Sequence, residues 1–279
     1  MPTTTHPAVR PFAPWRTTLV SATLSLACIV LVACGSPSAP PGDDALGPST
    51  ADATFSLEGR AFVSATYRGW PSSDTEGQPE TVAFDALTDE PFDEADALAG
   101  WAADLALVRT GTLFGATVTS IAGAEADVRL EATEDGHYLR LDVTADLSGQ
   151  VIGDGPDNSG PVYGAAVTMF LLALGVDIVD GELPYAVSAV LTTETTGPLP
   201  FAETRFRLRD AFDTGADVRG GFSVQHTGVL TTGSHLFDLE VVVPAEVEWN
   251  RDLEGYEPPA TPAHAGTLTV TIRFGAPAQ

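Results

Sequence analysis

Residues 267 to 274, TLTVTIRF, alternate without exception. Leu268, Val270, Ile272 and Phe274 fall on one side, and Thr267, Thr269, Thr271 and Arg273 on the other. A period of two marks a strand with one face in a core and the other in water. The same period dominates from residue 55 onward. Residues 126 to 146, ADVRLEATEDGHYLRLDVTAD, read as a hairpin with Asp135-Gly136 at its turn. Val128 and Leu130 on one arm would meet Leu139, Leu141 and Val143 on the other. Residues 221 to 243, GFSVQHTGVLTTGSHLFDLEVVV, read as a second antiparallel pair joined near Gly228 to Gly233, and 203 to 209, 55 to 67 and 81 to 87 as further strands.

Two stretches read as helix. Pro91 to Ala106, PFDEADALAGWAADLA, is alanine-rich, opens with acids, and has Pro91 where a first-turn proline belongs. Residues 162 to 176, VYGAAVTMFLLALGV, form an unbroken apolar run of helix-like composition. Periodicity alone does not separate a buried helix from a buried strand there. The fold class expected is mainly β, a β-rich α+β chain. Its antiparallel sheet would form a sandwich or a curved half-barrel, with one or two helices on it. A short frame recurs, AEADVRL at 124 to 130 and AETRFRL at 202 to 208. Chance similarity between strands accounts for so short a match, and a duplicated unit over roughly 90–150 and 160–230 is the alternative.

The first residues have a different layout. Residues 1 to 16 carry Arg10, Arg16 and no acid, and residues 17 to 33, TTLVSATLSLACIVLVA, carry no charge. A basic region, an apolar region and small residues at the end make a secretory signal, with a retained membrane helix as the weaker alternative. The ending, Leu31-Val32-Ala33-Cys34-Gly35, resembles the lipobox of bacterial lipoproteins. That resemblance implies diacylglyceryl transfer to the Cys34 sulfur and cleavage between Ala33 and Cys34. It thus divides the chain into a signal over 1–33, a lipidated cysteine with linker over 34–54 and a β-rich globular domain over 55–279. Two or more acyl chains make anchoring stable where one gives only marginal binding. Residues 35 to 54 contain four prolines and no aromatic or β-branched aliphatic residue. Such a segment cannot offset its ordering entropy by burial, and as a flexible coil it would reach roughly 25 Å.

All 13 basic residues are arginines, against 38 acids. The first 33 residues hold two of those arginines and no acid, which leaves 11 minus 38, or −27, after the signal. That charge repels nucleic acid and anionic headgroups, so no nucleic-acid partner is expected, and any tether is the lipid. Cys28 lies within the signal and Cys34 at the cut, so the folded part has no disulfide and is held by burial.

Three groups of residues are candidate sites. Met169, Phe170 and Leu171, in the apolar run, would meet a lipid-like ligand if that segment lined a cavity; a buried core helix is the simpler reading, since 15 residues fall short of the about 20 a membrane span needs. Arg205, Arg207 and Arg209 alternate onto one face opposite Phe206 and Leu208. Arginine forks suit carboxylates and anionic headgroups, but cross-strand pairing with acids such as Glu246 and Glu248 is the favoured reading, since acids greatly outnumber arginines. Asp154, Asp157 and Asn158, in GDGPDNSG, offer oxygen ligands to calcium, but the order is not that of an EF-hand loop and a solvated turn accounts for it. His137, His226, His235 and His264 show no zinc-ligand spacing, and no catalytic nucleophile or phosphate-binding motif is present. The chain is therefore expected to be a lipid-anchored, extracytoplasmic, non-catalytic binding or envelope-structural lipoprotein of the outer membrane or cell surface, acting on an apolar ligand or an envelope protein. A carrier of apolar ligands and a hydrolase with a site assembled from distant positions are the alternatives, and no cofactor other than calcium is suggested.

Overall fold

The computed structural model describes residues 46–47, 49–69, 82–113, 116–133, 137–153, 162–196, 204–208, 212–213, 221–249 and 263–276. The lipobox, Cys34 and linker residues 35–45 and 48 lie outside these residues, whereas Asp52, Ala53 and Thr54, read as the end of the linker, open the first strand, with Ala51 and Ala53 buried. The Asp135-Gly136 turn, Arg209, and Asp154, Asp157 and Asn158 also lie outside the described residues. The described chain is built almost wholly of antiparallel strands: β1 (Asp52–Gly69), β2 (Val82–Asp93), β3 (Trp101–Leu113), β4 (Ala116–Ala132), β5 (Leu139–Gly153), β6 (Val162–Thr196), β7 (Thr204–Leu208), β8 (Phe212–Asp213), β9 (Phe222–Trp249) and β10 (Ala263–Phe274), with one short helix, α1 (Glu94–Ala99). They form a single sheet in the order β3-β4-β5-β10-β6-β9-β7-β8, with β1 paired to β6 and β2 to β1. The sheet curls until β1 packs on β3 and β4 while β5 packs on β6 and β9. The expected fold class, mainly β with a curved antiparallel sheet, is what the chain adopts; the sheet nearly closes into a barrel and, among the described residues, carries one short helix.

The alternation places the core as expected. Leu268, Val270, Ile272 and Phe274 are all buried. Val128 faces Val143 and Leu130 faces Leu141 across β4 and β5. Phe274 meets Phe55 at 5.4 Å between ring centroids and Phe237 edge-on at 5.4 Å, the offset and edge-to-face geometries that aromatic pairs favour.

Three expectations fail, each for a physical reason. The helix read over Pro91 to Ala106 is confined to α1. Asp93 caps it, accepting from the backbone of Ala95 and Asp96 while the Asp96 carboxylate accepts from the Asp93 N–H, a reciprocal capping box. Gly100 then ends it in the left-handed conformation. Beyond Gly100, buried Trp101, Ala103, Leu105 and Leu107 alternate with exposed residues, so β3 carries the period of two that the alanine content masks. The second expected helix, 162 to 176, is the first half of β6. Its run is unbroken because it lies centrally, hydrogen-bonded to β1 on one edge and β9 on the other. Long-range pairing of both edges satisfies its backbone and overrides local helix propensity.

The third correction concerns residues 221 to 243, which form no hairpin. β9 runs unbroken past Gly228 and Gly233 along the length of β6. At Gly228 a Cβ would lie 2.7 Å from the Tyr185 ring, so this glycine answers to close packing, not to a turn.

A bulge gives the β6–β9 ribbon its shape. Ile178 pairs with Gly233 and Glu182 with Thr231, so Val179, Asp180 and Gly181 oppose Thr232 alone. Gly181 has φ 92° and backbone within 2.8 Å of where a Cβ would sit, so no side chain fits there. Before the bulge the buried residues of β6 are at even positions, such as Phe170, Leu172 and Leu174; after it they are mostly at odd ones, such as Leu183, Val187 and Leu191. At the same place β6 exchanges β1 for β10 as its edge partner. The bulge thus switches which side of the ribbon faces the core, and the sheet closes around it.

Candidate functional site

The strand phase separates the apolar candidates. Phe170 is fully buried, stacked on Phe92 at 6.1 Å between centroids, and Phe92 lies 4.4 Å from Trp101. Phe170 is a core residue. Met169 and Leu171 point the other way and are partly exposed on the outer side of the sheet. The three therefore do not line one surface.

The outer face instead joins Met169 and Leu171 to the arginine strand. Cross-strand register aligns Asp89, Phe62, Met169 and Val242 in one row over β2, β1, β6 and β9. The next row toward β7 runs Pro91, Arg60, Leu171, Glu240 and Arg205, and the preceding one runs Leu87, Ser64, Val167 and Pro244. Phe62, Val167 and Val242 are partly exposed like Met169, and Leu87 is 61% exposed. A contiguous apolar patch thus spans four strands on the face away from the core. Its members on β1 and β9 were detectable as apolar residues out of phase with their strands, Phe62 before Val63 and Val242 between Val241 and Val243.

The patch is bordered by charge. Arg207 donates from Nη2 at 2.6 Å and Nε at 3.0 Å to Asp238 Oδ2, and Arg60 lies 3.7 Å from Asp89 Oδ2. The residues across from the arginine strand are Asp238 and Glu240, whereas Glu246 and Glu248 sit further along β9, opposite Ala165 and Tyr163. Arg60 and Arg207 are thus already paired with carboxylates. Asp85, Glu58 and Glu246 add exposed acids around the patch.

Other polar features have simpler accounts. Tyr185 is buried, its hydroxyl 3.0 Å from His226 Nδ1 with the two rings stacked. Burial pushes the phenol pKa up, so the bond serves to satisfy a hydroxyl in the core. A half-open depression of about 270 Å³ is lined by Ile121, Ser148, Gln150, Glu194 and Ala265, which alternate outward on β4, β5, β6 and β10. His264, in the intervening row, is 4% exposed, and both its ring nitrogens are buried without a hydrogen-bond partner among the described residues. Among the described residues no group of three or more His, Cys, Asp or Glu side chains is placed to hold a metal ion, and no helix is long and apolar enough to cross a membrane. No family model, curated protein or solved structure matches the chain.

Proposed function

We propose that this chain is a lipid-anchored binding domain of the bacterial cell envelope, held to a membrane outside the cytoplasm through Cys34 and presenting the outer face of β1, β6 and β9 to a partner. The patch over Leu87, Phe62, Met169 and Val242 carries the binding half of this reading. The opposite face of these strands is filled by its own core, with Val63, Phe170 and Val241 buried, so folding does not require apolar residues on the outside. Contiguous apolar surface beyond what folding needs marks an interaction site. The lipobox carries the anchoring half, and a linker of about 25 Å reach gives the domain room to engage a partner above the headgroups.

Mass spectrometry of the membrane-extracted protein tests the anchor. An acylated peptide beginning at Cys34 is expected, and Cys34→Ala is expected to release the protein from the membrane fraction. An unmodified Cys34, or retention of residues 1 to 33, overturns it.

A further inference from the structure

We infer that the outer face of β2, β1, β6 and β9 docks a short polypeptide segment whose apolar side chains are flanked by lysine or arginine. This names the partner class for the binding face proposed above and rests on that reading. Size is the first argument. Strands lie about 4.8 Å apart and same-face neighbours along a strand about 6.8 Å apart, so four strands by three rows cover about 400 Å². A stable pair of globular proteins buries about 800 Å² on each partner. The patch suits a segment, not a second copy of this domain.

Charge is the second argument. The rows that cross or flank the patch carry seven acids, Asp85, Asp89, Asp93, Glu58, Asp238, Glu240 and Glu246, against three arginines, Arg60, Arg205 and Arg207. Of the arginines, Arg60 and Arg207 are spent on Asp89 and Asp238. The face therefore pairs an apolar centre with an acidic surround on a chain of net charge −25. A second copy or an anionic lipid surface would bring like charge to this surround, whereas a cationic segment would be steered toward it and held by the apolar centre.

The test is an anisotropy titration of the full chain with a fluorescein-labelled octapeptide of alternating leucine and lysine, and with its leucine–glutamate counterpart. The lysine peptide is expected to bind, more weakly as salt rises. Met169→Asp is expected to weaken it about tenfold, the loss typical of a residue at the centre of an interface. That substitution adds a negative charge, so mere adhesion to an acidic protein would be unchanged or strengthened. Leu171→Ser provides a second, milder disruption, Val108→Asp on β3 is the exposed control, and a cooperative thermal transition well above the assay temperature confirms that each variant is folded. If the lysine peptide fails to bind, or binds with no response to Met169→Asp and Leu171→Ser, the proposal falls. If the glutamate peptide binds as tightly and responds to the same substitutions, the face binds apolar segments but the cationic partner class is wrong. If neither peptide responds, the binding-face reading falls with it.

Discussion

Replacing residues 169 to 172 one at a time with alanine separates a strand from the helix that the local composition favours. In β6, Phe170 is fully buried and Leu172 is 2% exposed, whereas Met169 and Leu171 are partly exposed on the outer face. Phe170→Ala removes a ring stacked on Phe92 inside a closed core, and such truncations cost about 3–5 kcal/mol; Leu172→Ala costs about 2–5 kcal/mol on the same grounds. A fully buried side chain of this size is worth about 1.5–3 kcal/mol of transfer free energy, so half-covered Met169 and Leu171 should lose about 1 kcal/mol each. Urea unfolding of the full chain measures the series, and a domain of this size shifts its midpoint by about 2–4 °C per kcal/mol on heating. The expected order is cheap, costly, cheap, costly. A helix would pair residues three or four apart, so that Met169 and Leu172 lost alike. Equal losses at 169 and 172, or a loss at Leu171 matching that at Phe170, would refute the placement of both the core and the outer patch.

Two further outcomes follow from single buried contacts. Burial lowers the His264 pKa below its usual 6.5, so the unfolded chain takes up the proton first as the pH falls. Stability attributable to His264 is complete above about pH 6.5 and is lost as the pH drops below it, levelling off under the folded-state value. Comparing urea midpoints at pH 7.5 and pH 5, His264→Leu should lose less than the native chain; an equal loss would show that its ring is solvated. Gly228→Ala drives a methyl into the Tyr185 ring and should cost about 1–3 kcal/mol by overpacking. A neutral or stabilising effect in the same urea assay would mean that Tyr185 is not held as described.

Period-two alternation was legible where the wet face is polar and the buried face carries large apolar residues, as in β10, and not in β3, where alanines on both faces hide it. The β4–β5 pairing of Val128 with Val143 and Leu130 with Leu141 could be written down from residues 126 to 146 alone, because register is fixed once one face must be buried. It was not legible in β6, where both faces are apolar and the pattern carries no period. Neither was it legible in β9, whose glycines imitate a turn. Gly228 is there because the Tyr185 ring from β6, 43 residues earlier, occupies the space of a side chain. A contact of that separation leaves no local trace. The α1 terminus shows the converse case, since Asp93, Asp96 and Gly100 are standard stop and start residues, and only the alanine-rich sequence after them suggested that the helix continued.

The binding face was half legible, for the same reason. Met169 and Leu171 and the arginines of β7 stood out singly, but nothing local says that the strands carrying them are joined through β9. Their meeting is a product of sheet order, as is the separation of Phe170 from its neighbours. A strand that is apolar on both faces must find two coverings. One is the core, which β3, β4 and β5 supply by folding back over β1 and β6. For the other, the rows crossing Met169 and Leu171 offer Phe62, Val242 and Val167, and then carboxylates and paired arginines. Selection for solubility alone would place polar residues at those outward positions, as it does at Thr267, Thr269 and Thr271 on β10. That β6 departs from this pattern where β10 keeps it is the physical reason for assigning the second covering to a partner.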